Sequence, residues 1–446
     1  MALRFVDTDT LYAFLLGFVN VEKGQKTVFK LDRMRALCES LGDPQAAYRA
    51  IHVAGSKGKG SVSTMIARVL EASGRRVGLY TSPHLLRWKE RISLAGNEMP
   101  EETILAAASE VLSLVDGRGP EDFPGGELPT YFELTTLIAF CAFRRAGCDR
   151  AVIETGLGGR LDSTNVVPSA ASAITPIELE HTEWLGDSIE LIAGEKAGII
   201  KPGAPCYLSR QRDEAREVFA RVCAERGSPL REAPELARTG DVSIGPTGTL
   251  ARISFAKGSP LASRFPGGVE ARTPMIGTIQ AENMALALLV AGETEPALMS
   301  PDAVRGLARS FLPARFQLLG LDPPVVLDGA HTPASIGLSL ESLETLFPGP
   351  KALLFACADD KKHKEMAALL APNFDRITLT KPGAFKRGDL AALAASFGIA
   401  GARFRAKENY AEAIAFAREE AASLGMPLLV AGSFYLCSEF ARVFPA

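Results

Sequence analysis

No stretch of this chain approaches the roughly 18 to 20 consecutive apolar residues that a helix needs to span a bilayer. Its most apolar early stretch, residues 11–19, follows Asp7 and Asp9 rather than a basic region, so it reads as a buried helix, not a leader. Cysteine is sparse and odd in number: seven residues with no C-x-x-C pair supply neither a disulfide framework nor a zinc site, and a reduced cytoplasm is expected. Charge of one sign is missing too. Forty-nine Lys+Arg face 52 Asp+Glu, a net charge of −3, which leaves no global field for nucleic acid or an anionic membrane. Any anion must be held locally.

What is present is an ordinary soluble composition, 47% hydrophobic and 23% charged. At 446 residues, two or three domains are expected. Strand-like and helix-like patterns alternate without internal repeats, which predicts an α/β protein with parallel sheets covered by helices. Residues 51–54 form a short apolar strand before a glycine-rich turn, and Val62, Met65, Ile66, Val69 and Leu70 then mark one helix face. The next strand is expected at 77–80, after Gly74. A helix over 133–145 leads to a strand at 151–154, and 173–177 reads as another. Short β-branched runs at 242–244 and 251–255 predict a small antiparallel sheet. After a helix around 281–290, the polar segment 292–301 is the expected linker. Strands near 325–328, 353–356, 376–380 and 428–431 then predict a smaller α/β domain, so the domains are drawn as 1–298 and 299–446.

The run Gly55-Ser56-Lys57-Gly58-Lys59-Gly60-Ser61 joins a strand to a helix, the setting in which backbone N–H groups and a helix N-terminus cradle phosphates. Lys59 would neutralise phosphate charge and the Ser61 hydroxyl would face Mg²⁺, although Gly60 separates the two and breaks the strict Walker spacing. Glu154 ends an apolar strand, where a carboxylate suits a hard cation; a pair with Arg160 is the alternative. His181 follows another strand end, as a second metal ligand or as a structural histidine. Lys196 shares a helix face with Ile189, Ile192 and Ala193, so its amine is either desolvated, and able to form a carbamate with carbon dioxide, or snorkels to water. Arg315, Asp328 and His331 gather around one strand of the second domain, as ligand contacts or as turn and cap residues. The run 359–364 reads as a solvated charged loop, and His52 as structural.

The strings IHVAGSKGKGS, YTSPHL, TYFELTT, VIETGLGGRLDSTNVV, HTEWLG, EKAGIIKPG, LPARFQLL, LDGAHTPAS and VAGSFYL occur in that order. Together they resemble the folylpolyglutamate synthase and dihydrofolate synthase family of the Mur ligase superfamily, over nearly the whole chain. The resemblance implies an N-terminal P-loop ATPase domain, a C-terminal Rossmann-like domain and an active site in the cleft between them, in a monomer. It implies that Gly55 to Ser61, with Lys59 central, Asn283, Arg315, Asp328 and His331 serve ATP. It assigns Ser61, Ser82, Glu154 and His181 to two Mg²⁺ ions, Lys196 to the family's carbamylated lysine, and Thr130, Phe132 and Asp162 to the pterin-bearing substrate. Lys57, Glu180, Ile279, Ala314 and Thr332 stand where the family usually has Asn, Asp, His, Gly and Asn.

The activity implied is ligation of L-glutamate to a folate or dihydropteroate carboxylate, driven by ATP through an acyl phosphate. A Mur-type peptidoglycan ligase is the rival inside the superfamily, but such enzymes usually carry a UDP-binding domain ahead of the phosphate loop, where this chain has only about 50 residues. A P-loop switch or motor is the rival outside it, and the second domain with its Asp-x-x-His turn argues against that.

Overall fold

The computed structural model describes residues 5–19, 30–320, 322–383 and 385–444. Eight strands form the first sheet: β1 (Arg49–Ala54), β2 (Val77–Tyr80), β3 (Ile92–Leu94), β4 (Asn97–Glu98), β5 (Arg150–Glu154), β6 (Ala171–Ile174), β7 (Cys206–Leu208) and β8 (Leu230–Glu232). Their order is β4-β3-β2-β5-β1-β6-β7-β8. The run from β2 to β8 is parallel, and only β3 and β4 turn antiparallel at one edge. A small antiparallel sheet follows, from β9 (Ala237–Gly245), β10 (Gly248–Phe255) and β11 (Val269–Thr273), as the β-branched runs predict.

The last sheet contains β12 (Gln317–Leu319), β13 (Val325–Leu327), β14 (Ala352–Phe355), β15 (Arg376–Leu379), β16 (Arg405–Ala406) and β17 (Leu428–Ala431). It runs β12-β13-β17-β14-β15-β16, parallel except for β12. The chain divides into two compact units, one of residues 1–241, 251–272 and 282–311, the other of 242–250, 273–281 and 312–446.

β1 lies between β5 and β6, with β2 reached on one side and β7 on the other. Such a reversal of strand order opens a crevice at the carboxyl ends of the strands. Three chain segments leave the sheet there, after Ala54, Glu154 and Ile174, with Val53 opposite Glu154 and Ala54 opposite Ile174. The helix Lys59–Ala72 returns from β1 so deeply that every residue from Gly60 to Leu70 is buried. All seven cysteines are free and buried, and among the described residues no helix is long and apolar enough to cross a membrane.

Several sequence expectations need correcting. The early helix is Thr8–Leu15, not 11–19: an Asp7–Thr10 capping box starts it, and it buries Thr8, Leu11 and Leu15 while Phe14 and Val19 are exposed. The strand expected at 173–177 ends at Ile174, because Pro176 has no N–H to give a ladder and its carbonyl instead accepts Ser56 N–H at 2.9 Å. The segment 292–301 is no linker. It holds the end of helix Ile279–Thr294, the turn Pro296–Leu298 and the start of helix Pro301–Arg305, all within the first unit. The run 359–364 is only partly loop, since His363 begins helix His363–Leu370 and bonds Ser396 Oγ at 2.9 Å.

Candidate active site

Gly55 leaves β1 at φ 146°, and a Cβ there would stand 1.9 Å from Thr175 Oγ1, so only glycine fits. Ser56 and Lys57 then lean on the Pro176 carbonyl, and Gly58 opens helix Lys59–Ala72 with no side chain capping it. The N–H groups of this first turn face outward from the helix, the arrangement that binds phosphate. Asn283 belongs here: its Oδ1 would lie 3.2 Å from a Cβ on Gly58, which puts the carboxamide over the loop.

Three lysines converge on the loop. The amines of Lys59 and Lys196 both donate to the Gly55 carbonyl, at 2.9 and 2.8 Å. Lys57 pairs with Glu180 Oε2 at 3.2 Å, and Lys196 lies 3.6 Å from Glu180 Oε1. Lys196 is 2% exposed, so it does not snorkel; burial, with help from Lys59, pushes its amine down to about 8. Burial lowers Lys57 as well. Burial alone would raise Glu180, but the charges of Lys57, Lys59 and Lys196 hold it well below the usual carboxylate range. Lys57 and Glu180 are both departures from the family pattern, and the structure pairs them.

Glu154 is 3% exposed at the end of β5 and accepts the Ser82 N–H at 3.0 Å. The alternative pair with Arg160 is absent: that guanidinium goes to Glu195, at 2.8 and 3.0 Å. His181 is exposed at φ 49°, just before the turn Thr182–Leu185 and next to Glu180. Ser61 is buried in the first turn of the phosphate-loop helix. Hydroxyl, carboxylate and imidazole donors at the strand ends suit a hard divalent cation that keeps water and phosphate oxygens as its other ligands. Among the described residues no group of three or more His, Cys, Asp or Glu side chains could hold a metal ion by itself.

The residues linked to a pterin sit along the neighbouring segments. Thr130 caps helix Tyr131–Arg145; its hydroxyl accepts Glu133 N–H at 3.2 Å and donates to Glu133 Oε2 at 2.9 Å, and Glu133 is itself held by the buried Arg33. The Phe132 ring presses on Gly156, where a Cβ would lie 2.4 Å from its Cζ. Asp162 is buried and accepts Leu157 N–H at 2.8 Å, which folds the glycine-rich loop beyond Glu154 back on itself. Burial raises the Asp162 carboxyl, with Thr164 and backbone N–H donors working the other way.

In the second unit, Asp328 follows β13 and accepts from Ala330 N–H at 3.2 Å and from the Ser339 hydroxyl; burial raises it. Arg315 stacks on Phe434, its Cζ 5.2 Å from the ring centre. His331 Nδ1 lies 2.7 Å from the Gly329 carbonyl, and Thr332, not Asp328 or His331, caps helix Pro333–Leu346. Ala314 is held at φ 52°, a conformation that favours the glycine usual in the family.

The sequence reading treats Glu180 only as a departure and does not assign Thr175 or Pro176. The acidic run Glu178-Leu179-Glu180-His181 directly after a strand end was the available signal for the first. For the second it was the proline inside an expected strand.

Comparison with known proteins adds to this geometry. A family model described as Mur ligase, glutamate ligase domain, matches residues 314–434. A probable bifunctional folylpolyglutamate synthase/dihydropteroate synthase of Halobacterium salinarum is 36% identical over 406 residues, 90% of this chain. The chain spans about half of that relative's length, 48%. A dihydrofolate synthase/folylpolyglutamate synthase of Mycobacterium tuberculosis is 34% identical over 405 residues, covering 86% of this chain and 81% of the relative. The solved structure of a folylpolyglutamate synthase from the same organism, complexed with ADP and AMPPCP, aligns with a TM-score of 0.87 and 29% identity over 98% of both chains.

Proposed function

The chain belongs to the dihydrofolate synthase/folylpolyglutamate synthase family, and we propose that it is an ATP-dependent ligase joining L-glutamate to a folate or dihydropteroate carboxylate. The observation that carries this reading is the gathering of Lys57, Lys59 and Lys196 on one glycine-rich loop, beside the buried carboxylate of Glu154. The loop binds the phosphates of ATP through the backbone from Gly55 to Ser61 and through Asn283. A substrate carboxylate oxygen attacks the γ-phosphorus, the bond to the ADP oxygen breaks, and an acyl phosphate forms. The glutamate amine then attacks the acyl carbon, phosphate leaves, and the amine proton passes to solvent. Lys59, the helix N-terminus and Lys57 meet the charge that builds on the phosphoryl oxygens.

Ser61, Ser82, Glu154 and His181 would hold two Mg²⁺ ions. When bound, Mg²⁺ supplies further positive charge to the phosphate oxygens. The Ser82 N–H keeps one Glu154 oxygen oriented, and Ser61 brings its hydroxyl to the end of the phosphate loop. Thr130, Phe132 and Asp162 serve the pteridine end of the substrate; Thr130 does so from a helix cap, where its hydroxyl is already engaged. Arg315, Asp328 and His331 are assigned to nucleotide. Phosphate chemistry is assigned to the N-terminal part and the Rossmann-like ligase role to the C-terminal part, with the boundary moved from 298/299 to 311/312, in a cytoplasmic monomer.

Lys196 is proposed to be carbamylated. Its buried amine adds to carbon dioxide, loses one proton and becomes a carbamate anion. Lys196→Ala should then be nearly inactive and partly rescued by acetate or formate, while Lys59→Ala is not rescued. No rescue, together with an unmodified ammonium in a high-resolution map of the active enzyme, would return Lys196 to a structural role.

The test of the whole reading offers dihydropteroate and tetrahydrofolate separately, each with glutamate and MgATP. The expected outcome is ADP and phosphate release only when all three substrates are present, with a product heavier by one glutamyl unit. Hydrolysis indifferent to glutamate and folates would favour an NTPase switch or motor, and dependence on a UDP-linked substrate a Mur-type ligase.

A further inference from the structure

His52 has no part in the chemistry described so far. It lies in the middle of β1, three residues before Gly55, opposite Ile153 of β5 and Ser172 of β6, and it is fully buried. Its neighbours Ile51, Val53 and Ala54 are apolar, so a histidine here needs a reason. Its Nε2 stands 2.8 Å from Thr164 Oγ1, and the other partner of that hydroxyl is Asp162 Oδ1. Asp162 also accepts the Thr164 N–H on Oδ1 at 3.0 Å and the Leu157 N–H on Oδ2 at 2.8 Å.

The partners favour one proton count. A hydroxyl has one proton to give. Both Asp162 oxygens already accept backbone N–H groups, which favours the ionised carboxylate as the acceptor of the Thr164 hydroxyl. The Thr164 oxygen must then receive a proton from His52 Nε2. His52 Nδ1 is buried without a partner, which an unprotonated nitrogen tolerates far better than an N–H does. Burial, with Lys201 acting in the same direction, keeps the ring neutral.

We propose that His52 is a positioning residue of the ligase site. Its neutral Nε2–H form locks the Thr164 hydroxyl onto Asp162 and thereby sets the pose of the 156–162 loop that receives the pteridine-bearing substrate. The proposal rests on the reading that Asp162 faces that substrate. One strand then references both reactants: its end carries the phosphate loop, and its middle holds the substrate loop. His52 touches neither, and acts on substrate affinity rather than on phosphoryl transfer.

The test combines ¹⁵N NMR of the wild-type full chain with kinetics and thermal unfolding of His52→Gln, His52→Leu and Thr164→Val. Glutamine keeps an N–H near the Nε2 position; leucine and valine remove a link of the chain. The expected result is a neutral Nε2–H imidazole from about pH 6 to about pH 8. His52→Leu and Thr164→Val should raise KM for dihydropteroate about tenfold with kcat and KM for MgATP within about twofold, and His52→Gln should recover most of the loss. An Nδ1–H or charged ring would overturn the proposal. So would equal losses in His52→Gln and His52→Leu confined to thermal stability. Absence of turnover with every pteridine substrate would instead refute the ligase reading; the lock would then be judged by the tautomer and by its change in Thr164→Val.

Discussion

Glu180 and Asp162 both have buried carboxylates, beyond the carboxyl ends of β6 and β5, the strands that flank β1, and the protein treats them in opposite ways. Glu180 is surrounded by the amines of Lys57, Lys59 and Lys196 and is held far below its ordinary titration range. Asp162 meets only neutral donors, the Thr164 hydroxyl and backbone N–H groups, and burial prevails in raising it. Similar burial therefore gives opposite shifts, and the presence of full positive charges decides which. The first arrangement suits a site that will exchange one anion for another. The second suits a scaffold whose charge never needs replacing.

The largest effect should come from removing a cation on the Glu180 side. Lys59→Ala is expected to cost about 3 kcal/mol of transition-state stabilisation, on the order of a hundredfold or more in kcat at saturating MgATP, with the unfolding midpoint unchanged. Near-normal turnover would break the assignment of that amine to phosphate. Next comes Glu180→Gln, which leaves the buried amine of Lys196 and the half-buried amine of Lys57 without their carboxylate and should destabilise the nucleotide-free protein by about 3 kcal/mol in chemical denaturation.

The pH dependence separates the two carboxylates by sign. Glu180 has a folded pKa below its ordinary 4.5, so its stabilisation is present above about pH 4.5 and is lost as the pH falls. Glu180→Gln should flatten this acid limb. Asp162 has a folded pKa above its ordinary 3.8, so its penalty stands at neutral pH and is relieved as the pH falls through the folded value. Asp162→Asn should cost about 1 to 2 kcal/mol at neutral pH, because its amide donor faces N–H groups, and should steepen the acid limb. Equal slopes in the two variants would erase the contrast.

Asp328 extends the comparison to the second unit, since it too is raised by burial and held by a hydroxyl, that of Ser339. The turn facing it carries Ala314 at φ 52°, with the Ala314 carbonyl accepting Gly329 N–H at 2.9 Å. Ala314→Gly should relieve the left-handed strain and, net of the freedom glycine adds to the unfolded chain, stabilise by about 0.5 to 1 kcal/mol, the smallest effect of the set. A lower unfolding midpoint would show that the alanine methyl contributes more in packing than its backbone costs.

Much of the phosphate-loop region is legible in the sequence because its signals are local. Glycines, an apolar strand and an i, i+3, i+4 repeat all fall between residues 51 and 70. The surroundings are less legible because they are built across distance. Lys57 and Glu180 meet although they are 123 positions apart, and Lys196 reaches the Gly55 carbonyl from 141 positions away. The apolar helix face announces that Lys196 is buried, yet says nothing of which oxygen receives its amine. Glu154 illustrates the converse: nearness in sequence suggests Arg160, but that guanidinium turns to Glu195 on helix Ile189–Ala197. His52 is legible in the sequence only as a structural histidine, since its partner Thr164 lies 112 positions on.

The Gly55 carbonyl oxygen has a further consequence. It offers two lone pairs, and Lys59 and Lys196 occupy both. A ligand that draws Lys59 off this oxygen changes how strongly Lys196 is held, and an alteration of the Lys196 amine changes the work needed to free Lys59. Thermodynamic reciprocity makes the two influences equal in size, whichever event comes first. Occupancy of the loop and the chemical state of an amine on helix Ile189–Ala197 are therefore coupled variables, joined through one atom and without any movement of the sheet.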